Sequence, residues 1–162
     1  MSQNVPKPDQ IARQIDAADP TQSVWVGANA GTGKTRVLID RILRLLLEGV
    51  PPTRILCLTF TKAASAEMAT RLSKQLGEWA VSHDEKLIPE LTQMMGQKPG
   101  QKLLISARQL FAKTVDAPGG LKIRTIHSFC ESLLGRFPIE AKVVPHFAVI
   151  DERTANELRL EA

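Results

Sequence analysis

Gly27-Ala28-Asn29-Ala30-Gly31-Thr32-Gly33-Lys34-Thr35 is the stretch on which the reading of this chain turns. From position 28 it follows the pattern G-x-x-x-x-G-K-[ST], with Ala28 where the first glycine is usual. Gly31 and Gly33 let the backbone turn tightly, so that consecutive N–H groups converge on phosphate oxygens. A helix beginning near Lys34 aims its positive end at the same point. The pattern expects Lys34 to pair with the β and γ phosphates of a nucleoside triphosphate, and Thr35 to hold Mg²⁺ through its hydroxyl. The competing reading is a glycine-rich strand-to-helix turn with no ligand. Context favours the phosphate loop: Val24-Trp25-Val26 reads as a buried strand before it, and residues 35–47 as a helix after it. Leu38, Ile39, Ile42, Leu43, Leu45 and Leu46 form the apolar face of that helix.

On the N-terminal side, residues 8–18 suggest a helix with Ile11, Ala12 and Ile15 on one side, closed by Asp19-Pro20. On the C-terminal side, Gly49 and Pro51-Pro52 stop the long helix, and Arg54-Ile55-Leu56-Cys57-Leu58-Thr59 reads as a second buried strand. A β-α-β unit with a right-handed crossover makes the two strands parallel, so the loop and Thr59 are expected on one edge of the sheet. Residues 62–80 carry Ala64, Met68, Leu72 and Leu76 at near four-residue spacing, a helical core face. Residues 83–114 are helical with breaks at Gly96 and Pro99-Gly100. There Leu103, Leu104, Ala107, Leu110 and Phe111 mark a further amphipathic helix. Roughly residues 80–120 therefore read as an inserted helical subregion. Pro118-Gly119-Gly120 makes a turn, 121–126 a third strand, 127–136 a helix, 147–150 a further strand, and 151–162 the start of a helix.

A chain of 162 residues suffices for one core, and this alternation predicts an α/β fold with a parallel sheet flanked by helices. The net charge of +4 permits an anionic partner. Two cysteines, Cys57 in a predicted strand and Cys130 beside an aromatic residue, suggest buried reduced thiols rather than a disulfide, as in a reducing cytoplasm. The polar opening MSQNVPKPDQ is not a signal peptide, and no apolar run approaches the ~20 residues of a membrane span, so no membrane partner is expected.

Four features in order make the chain resemble the UvrD/Rep-like superfamily 1 DNA helicases, most closely the AddA-type helicase-nuclease subunits. Gln10 looks like the adenine-reading glutamine, whose amide both donates and accepts. Ala28, Asn29, Ala30, Gly31, Thr32, Gly33, Lys34 and Thr35, followed by Arg36, match the family's phosphate loop, alanine included. Thr59-Phe60-Thr61-Lys62-Ala63-Ala64-Ser65-Ala66-Glu67-Met68 looks like the strand-to-helix junction that contacts single-stranded DNA, with Lys62-Ala63 where Asn-Lys is commoner. Thr125-Ile126-His127-Ser128-Phe129 looks like the family's T-x-H-x-F segment, also assigned to DNA contact. Its continuation Cys130-Glu131-Ser132-Leu133-Leu134-Gly135-Arg136-Phe137-Pro138 tilts the likeness toward the AddA type.

The resemblance implies the N-terminal part of a RecA-like P-loop NTPase motor domain, with 147–162 opening a further subdomain. It implies ATP with Mg²⁺, single- and double-stranded DNA, and a partner of AddB type. The whole protein would translocate on single strands and unwind duplex in double-strand break repair. Bland readings stand beside these roles: Gln10 and Arg36 as surface residues, Phe60 as core packing, His127 as a helix cap, and Lys62, Lys122 and Arg124 as a solvated face. Phe147-Ala148-Val149-Ile150-Asp151-Glu152 imitates a Walker B strand, but reads better as the approach to a helix capped by Asp151. Without a hydrolytic acid pair the chain is expected to turn over little ATP. The rival classes are a small P-loop phosphotransferase and a non-hydrolysing nucleotide- and DNA-binding module.

Overall fold

The computed structural model describes residues 8–27, 29, 33–150 and 152–161. In chain order the elements are α1 (Pro8–Ala17), α2 (Lys34–Leu47), a 3-10 turn (Pro52–Arg54), β1 (Leu56–Thr59), α3 (Lys62–Val81), α4 (Asp84–Met95), α5 (Gln101–Val115), β2 (Lys122–Thr125), α6 (Ile126–Arg136) and α7 (Glu152–Glu161). The helix ends follow local chemistry. Gly33 takes φ 91° to launch α2, a left-handed conformation that other residues adopt only under strain. Thr61 and Thr125 cap α3 and α6 through their hydroxyls, and Gly96 at φ 73° closes α4.

The fold is α/β. β1 and β2 pair in parallel, with Leu56 opposite Lys122, Cys57 opposite Ile123, Leu58 opposite Arg124 and Thr59 opposite Thr125. A parallel pair needs a crossover long enough to bring the chain back to its starting end, and α3, α4 and α5 supply it. These helices also build most of the core. Ile39, Ile42, Leu43 and Leu46 of α2 pack with Leu72, Leu76 and Trp79 of α3, Leu87 and Leu91 of α4, and Leu104, Ala107 and Leu110 of α5, against Cys57 of β1. The stretch read as an inserted subregion thus shares its core with α2.

One charge is buried in this core. Arg44 of α2 is 6% exposed and donates from its guanidinium, through Nε at 3.1 Å and also through Nη2, to the Met94 carbonyl in the last turn of α4. Carbonyls of a last helical turn lack intrahelical donors, so this cation fills a need that water cannot reach there. On the opposite side of α2, Arg41 donates to the carbonyls of Ala17, Asp19 and Gln22 and holds the exit of α1.

Several expectations are corrected. Val24-Trp25-Val26 is extended but in no strand, with Trp25 95% exposed. An apolar run becomes a buried strand only beside a partner, and among the described residues the sheet is two-stranded, β1 beside β2. Residues 147–150 likewise form no strand, and Val149 and Ile150 are exposed. β1 is buried on one face only: Cys57 is covered while Leu56 and Leu58 are exposed. Leu38 is exposed because it lies off the stripe of residues 39, 42, 43 and 46. Cys130 is exposed on α6, a helix with no buried residue, whereas Cys57 is buried and its thiol is pushed up by that burial.

Replacing Arg44 by Ala is expected to lower stability by about 2 kcal/mol or more, the cost of removing a charged donor and leaving a buried carbonyl unpaired. Urea denaturation measures it, and a loss below about 0.5 kcal/mol would show that the pairing with Met94 contributes nothing net.

Candidate functional site

Two regions carry the residues singled out by the sequence. The first is the start of α2. Gly33 cannot gain a side chain, because its φ is left-handed and a Cβ there would stand 3.2 Å from Gln14 Nε2. Among the described residues no side chain caps α2, and its first turn holds no acid. The helix therefore presents its positive end without an internal counter-charge. Lys34 Nζ reaches back across the loop to donate to the Asn29 carbonyl at 2.8 Å. Thr35 is half-buried, and Arg36 is exposed and pairs with Asp40 one turn on, at 3.7 Å. Ala28, Ala30, Gly31 and Thr32 lie outside the described residues, as does the side chain of Gln10.

The α1 amide that the structure does place at the loop belongs to Gln14, a residue that no motif marks. Its one signal in the sequence is its place a helical turn beyond Gln10, on the side of α1 that turns toward α2. Beside Lys34 a cleft of about 480 Å³ opens between the end of α1, the Val24–Val26 segment and α2, lined also by Val37, Leu38 and Arg41. Val24, Val26 and Leu38, core residues by their composition, form its apolar wall.

The second region is the end of the sheet where both strands finish. Thr61 Oγ1 accepts from the Ala64 amide at 3.1 Å, and Thr125 Oγ1 accepts from the Ser128 amide at 3.1 Å. Thr59 Oγ1 shares a hydrogen bond with Ser65 Oγ at 2.5 Å and donates to the carbonyls of Thr61 at 3.1 Å and Arg124 at 3.5 Å. These bonds join the β1–α3 turn to β2. Thr125 is buried by its cap, so the groups the two turns offer outward are Phe60, 79% exposed, with Thr61, Lys62 and His127. Phe60 is therefore not a core residue, and the cap of α6 is Thr125 rather than His127. The register sets the two turns side by side.

Behind the start of α2, α2, α3 and α4 enclose a cavity of about 420 Å³, with Asp40, Arg71, Glu78 and Glu90 in its wall. Trp79 Nε1 donates to Glu90 Oε1 at 2.9 Å, and Gln75 donates to the same oxygen. Burial raises the Asp40 carboxyl above its ordinary value, only partly opposed by Arg36 and Arg44.

An α/β domain with an uncapped helix start behind a glycine turn is built to receive an anion at that end. The family model of the UvrD/REP helicase N-terminal domain matches residues 9–161. Three curated relatives are named as AddA-type subunits of an ATP-dependent helicase/nuclease. That of Lactobacillus johnsonii is 33% identical over 143 residues, covering 88% of this chain and 10% of the relative. That of Desulforudis audaxviator is 34% identical over 143 residues, covering 86% and 10%. That of Desulforamulus reducens is 35% identical over 142 residues, covering 86% and 10%. No solved structure gives a significant match. The chain belongs to the UvrD/Rep helicase N-terminal domain family and spans about a tenth of the length of these relatives.

Because the folded state holds the Asp40 proton more tightly than the unfolded chain, Asp40 costs stability as pH rises from its ordinary value near 3.8 through the raised folded value. Asp40→Asn removes that cost. The variant is expected to melt higher than the parent at neutral pH, with the difference vanishing in acid below about pH 4. A variant equally destabilised at both pH values would show that the pairing with Arg36 outweighs burial.

Proposed function

We propose that this chain is the nucleotide-binding N-terminal part of a RecA-like P-loop motor domain, which binds Mg²⁺-ATP at the start of α2 and single-stranded DNA at the strand ends. The observation that carries the nucleotide half is the contrast between helix starts. α3 and α6 spend an amide on a threonine cap, whereas α2 has no side-chain cap among the described residues and follows a glycine whose side a Cβ would fill. The residues fit a bound nucleotide. Lys34 already stretches over the loop to a carbonyl, within reach of β and γ phosphates; the Thr35 hydroxyl follows as the Mg²⁺ ligand; and Arg36 can turn from Asp40 toward negative charge. When bound, the metal neutralises the phosphate charge. The chain's own part is to hold and orient that phosphate group.

Gln10 is the motif's candidate for the adenine, and Gln14 shares that assignment, because Gln14 is the amide seen against Gly33. For the DNA half, Phe60 offers a ring for a base, and Thr61, Lys62 and His127 offer donors to phosphates, with Thr59 and Thr125 holding the two turns in place. In this reading residues 80–120 are the domain's helical insert and 147–162 begin a further subdomain.

The whole protein, like its relatives named for an ATP-dependent helicase/nuclease, would use ATP hydrolysis to move along one strand and unwind duplex, in the cytoplasm, during double-strand break repair. It would act with an AddB-type partner. The acids and arginines that hydrolysis needs belong to other parts of such a protein, so this chain alone is expected to bind ATP with little turnover.

Lys34→Ala is expected to weaken binding of a fluorescent ATP analogue about tenfold or more, the effect of losing a charge-assisted contact of about 1.5–3 kcal/mol. Unchanged affinity would overturn the nucleotide assignment. Phe60→Ala is expected to weaken a labelled oligothymidylate by a similar factor in fluorescence anisotropy, since one base–aromatic stack contributes about 1–3 kcal/mol. Wild-type affinity in that variant would remove Phe60 from the contact.

A further inference from the structure

The second face of the sheet, turned away from the main core, forms a groove of about 390 Å³ with α6. Four cations line it, Arg54, Lys122, Arg124 and Arg136, and no carboxylate does. Their convergence follows from local geometry. Lys122 and Arg124 are two apart on β2 and so share a face with Leu56 and Leu58, the exposed residues they pair with. Arg54 sits in the turn leading into β1. On α6, Phe129 and Arg136 are seven apart, two turns along one stripe.

Among the described residues none of the four cations forms an ion pair. The Arg136 guanidinium rests 5.8 Å from the Phe137 ring centroid instead. Elsewhere on the surface the cations are matched: Arg36 with Asp40, Arg71 with Glu67, Lys74 and Lys86 with Glu78, Arg108 with Asp84. Four unmatched like charges facing one groove repel one another, and a ligand with regularly spaced negative charge removes that cost.

We infer that this groove is a second seat for single-stranded DNA, taking the sugar–phosphate backbone as it leaves the Thr125–His127 turn. The inference rests on the DNA reading of that turn and extends it. Phe129, the aromatic in the groove, closes the Thr125–Phe129 segment, so the groove opens one helical turn from the first contact. Arg124 immediately precedes Thr125 and links the two along the strand. An acidic polypeptide would satisfy the charges equally but has no reason to begin at that turn. The cations contact backbone only, so binding here is tolerant of sequence.

The test uses the intact chain and fluorescein-labelled oligothymidylate, with affinity measured over a range of salt. Each cation that neutralises a phosphate of a single strand contributes about 0.7 to the slope of log K against log salt. Lys122→Gln with Arg124→Gln, and separately Arg54→Gln with Arg136→Gln, are expected to flatten that slope by about 1.4 each. Lys102→Gln with Lys113→Gln, exposed on α5, leaves it unchanged, and all these surface variants keep the parent's melting temperature. Phe60→Ala weakens binding while keeping the slope.

If the groove pairs bind with the parent's slope while Phe60→Ala weakens binding, the groove is not a DNA seat and the strand-end reading survives. If the parent itself binds no oligothymidylate even at low salt, both fall. Displacement of the DNA by poly-glutamate at matched charge concentration would also overturn the inference, marking the groove as a seat for acidic protein.

Discussion

The parallel pairing of β1 with β2 in a register that sets Thr59 against Thr125 is the constraint from which the strand-end site follows. In a parallel pair both strands finish on the same side, so the turn into α3 and the turn into α6 become neighbours. An antiparallel pair would put Thr125 at the opposite end of β1, and the two threonine-capped turns would share nothing. Parallel pairing also obliges the chain to travel back before β2, and three helices make that journey. The core is thus a by-product of the crossover: the helices required to reverse the chain carry the leucines that bury one face of the sheet.

α2 ties the phosphate-loop end to that core. Its apolar stripe of Ile39, Ile42, Leu43 and Leu46 is embedded among α3, α4 and α5. Two arginines on different sides fix it further, Arg41 to the exit of α1 and Arg44 to the end of α4. A helix start that must hold a polyphosphate gains most from being immobile before the ligand arrives, because no ordering cost is then charged to binding. The buried guanidinium of Arg44 is an expensive group for a core, and its carbonyl partner explains how the core tolerates it.

What could be read in the sequence was what depends on neighbours along the chain. The glycine turn into α2, the apolar spacing of α3 through Met68, Leu72 and Leu76, the breaks at Gly96 and Pro99-Gly100, and the threonines at 61 and 125 are local, and the structure places each where local chemistry puts it. What could not be read depends on partners across space. Val24-Trp25-Val26 and residues 147–150 have strand-like composition but no ladder to join among the described residues. Leu56 and Leu58 look like core residues until the sheet is found to cover one face only. At the site, Lys34 and the strand-end threonines were legible by motif. Gln14 was not, because its role depends on how α1 lies against Gly33. The convergence of Arg54, Lys122, Arg124 and Arg136 was likewise hidden in three separate segments, where each read as an ordinary solvated cation.

The three helix starts explain why one small domain can hold two kinds of phosphate differently. A nucleotide's polyphosphate concentrates its charge at one point, and it suits α2, where no acid and no side-chain cap competes for the helix's positive end. A DNA backbone spreads one charge per phosphate along a line, and it suits a row of modest contacts better than a single deep cradle. α3 and α6 supply such a row: their threonine caps have already satisfied an amide each, the residual positive ends lie side by side, and Phe60, Lys62 and His127 stand outside them. Uncapping α3 or α6 would sharpen anion binding at that edge but would also free the turns that Thr59, Ser65 and Thr125 hold together. The caps therefore exchange strength at one point for order along the edge, which is the exchange a strand-tracking surface requires.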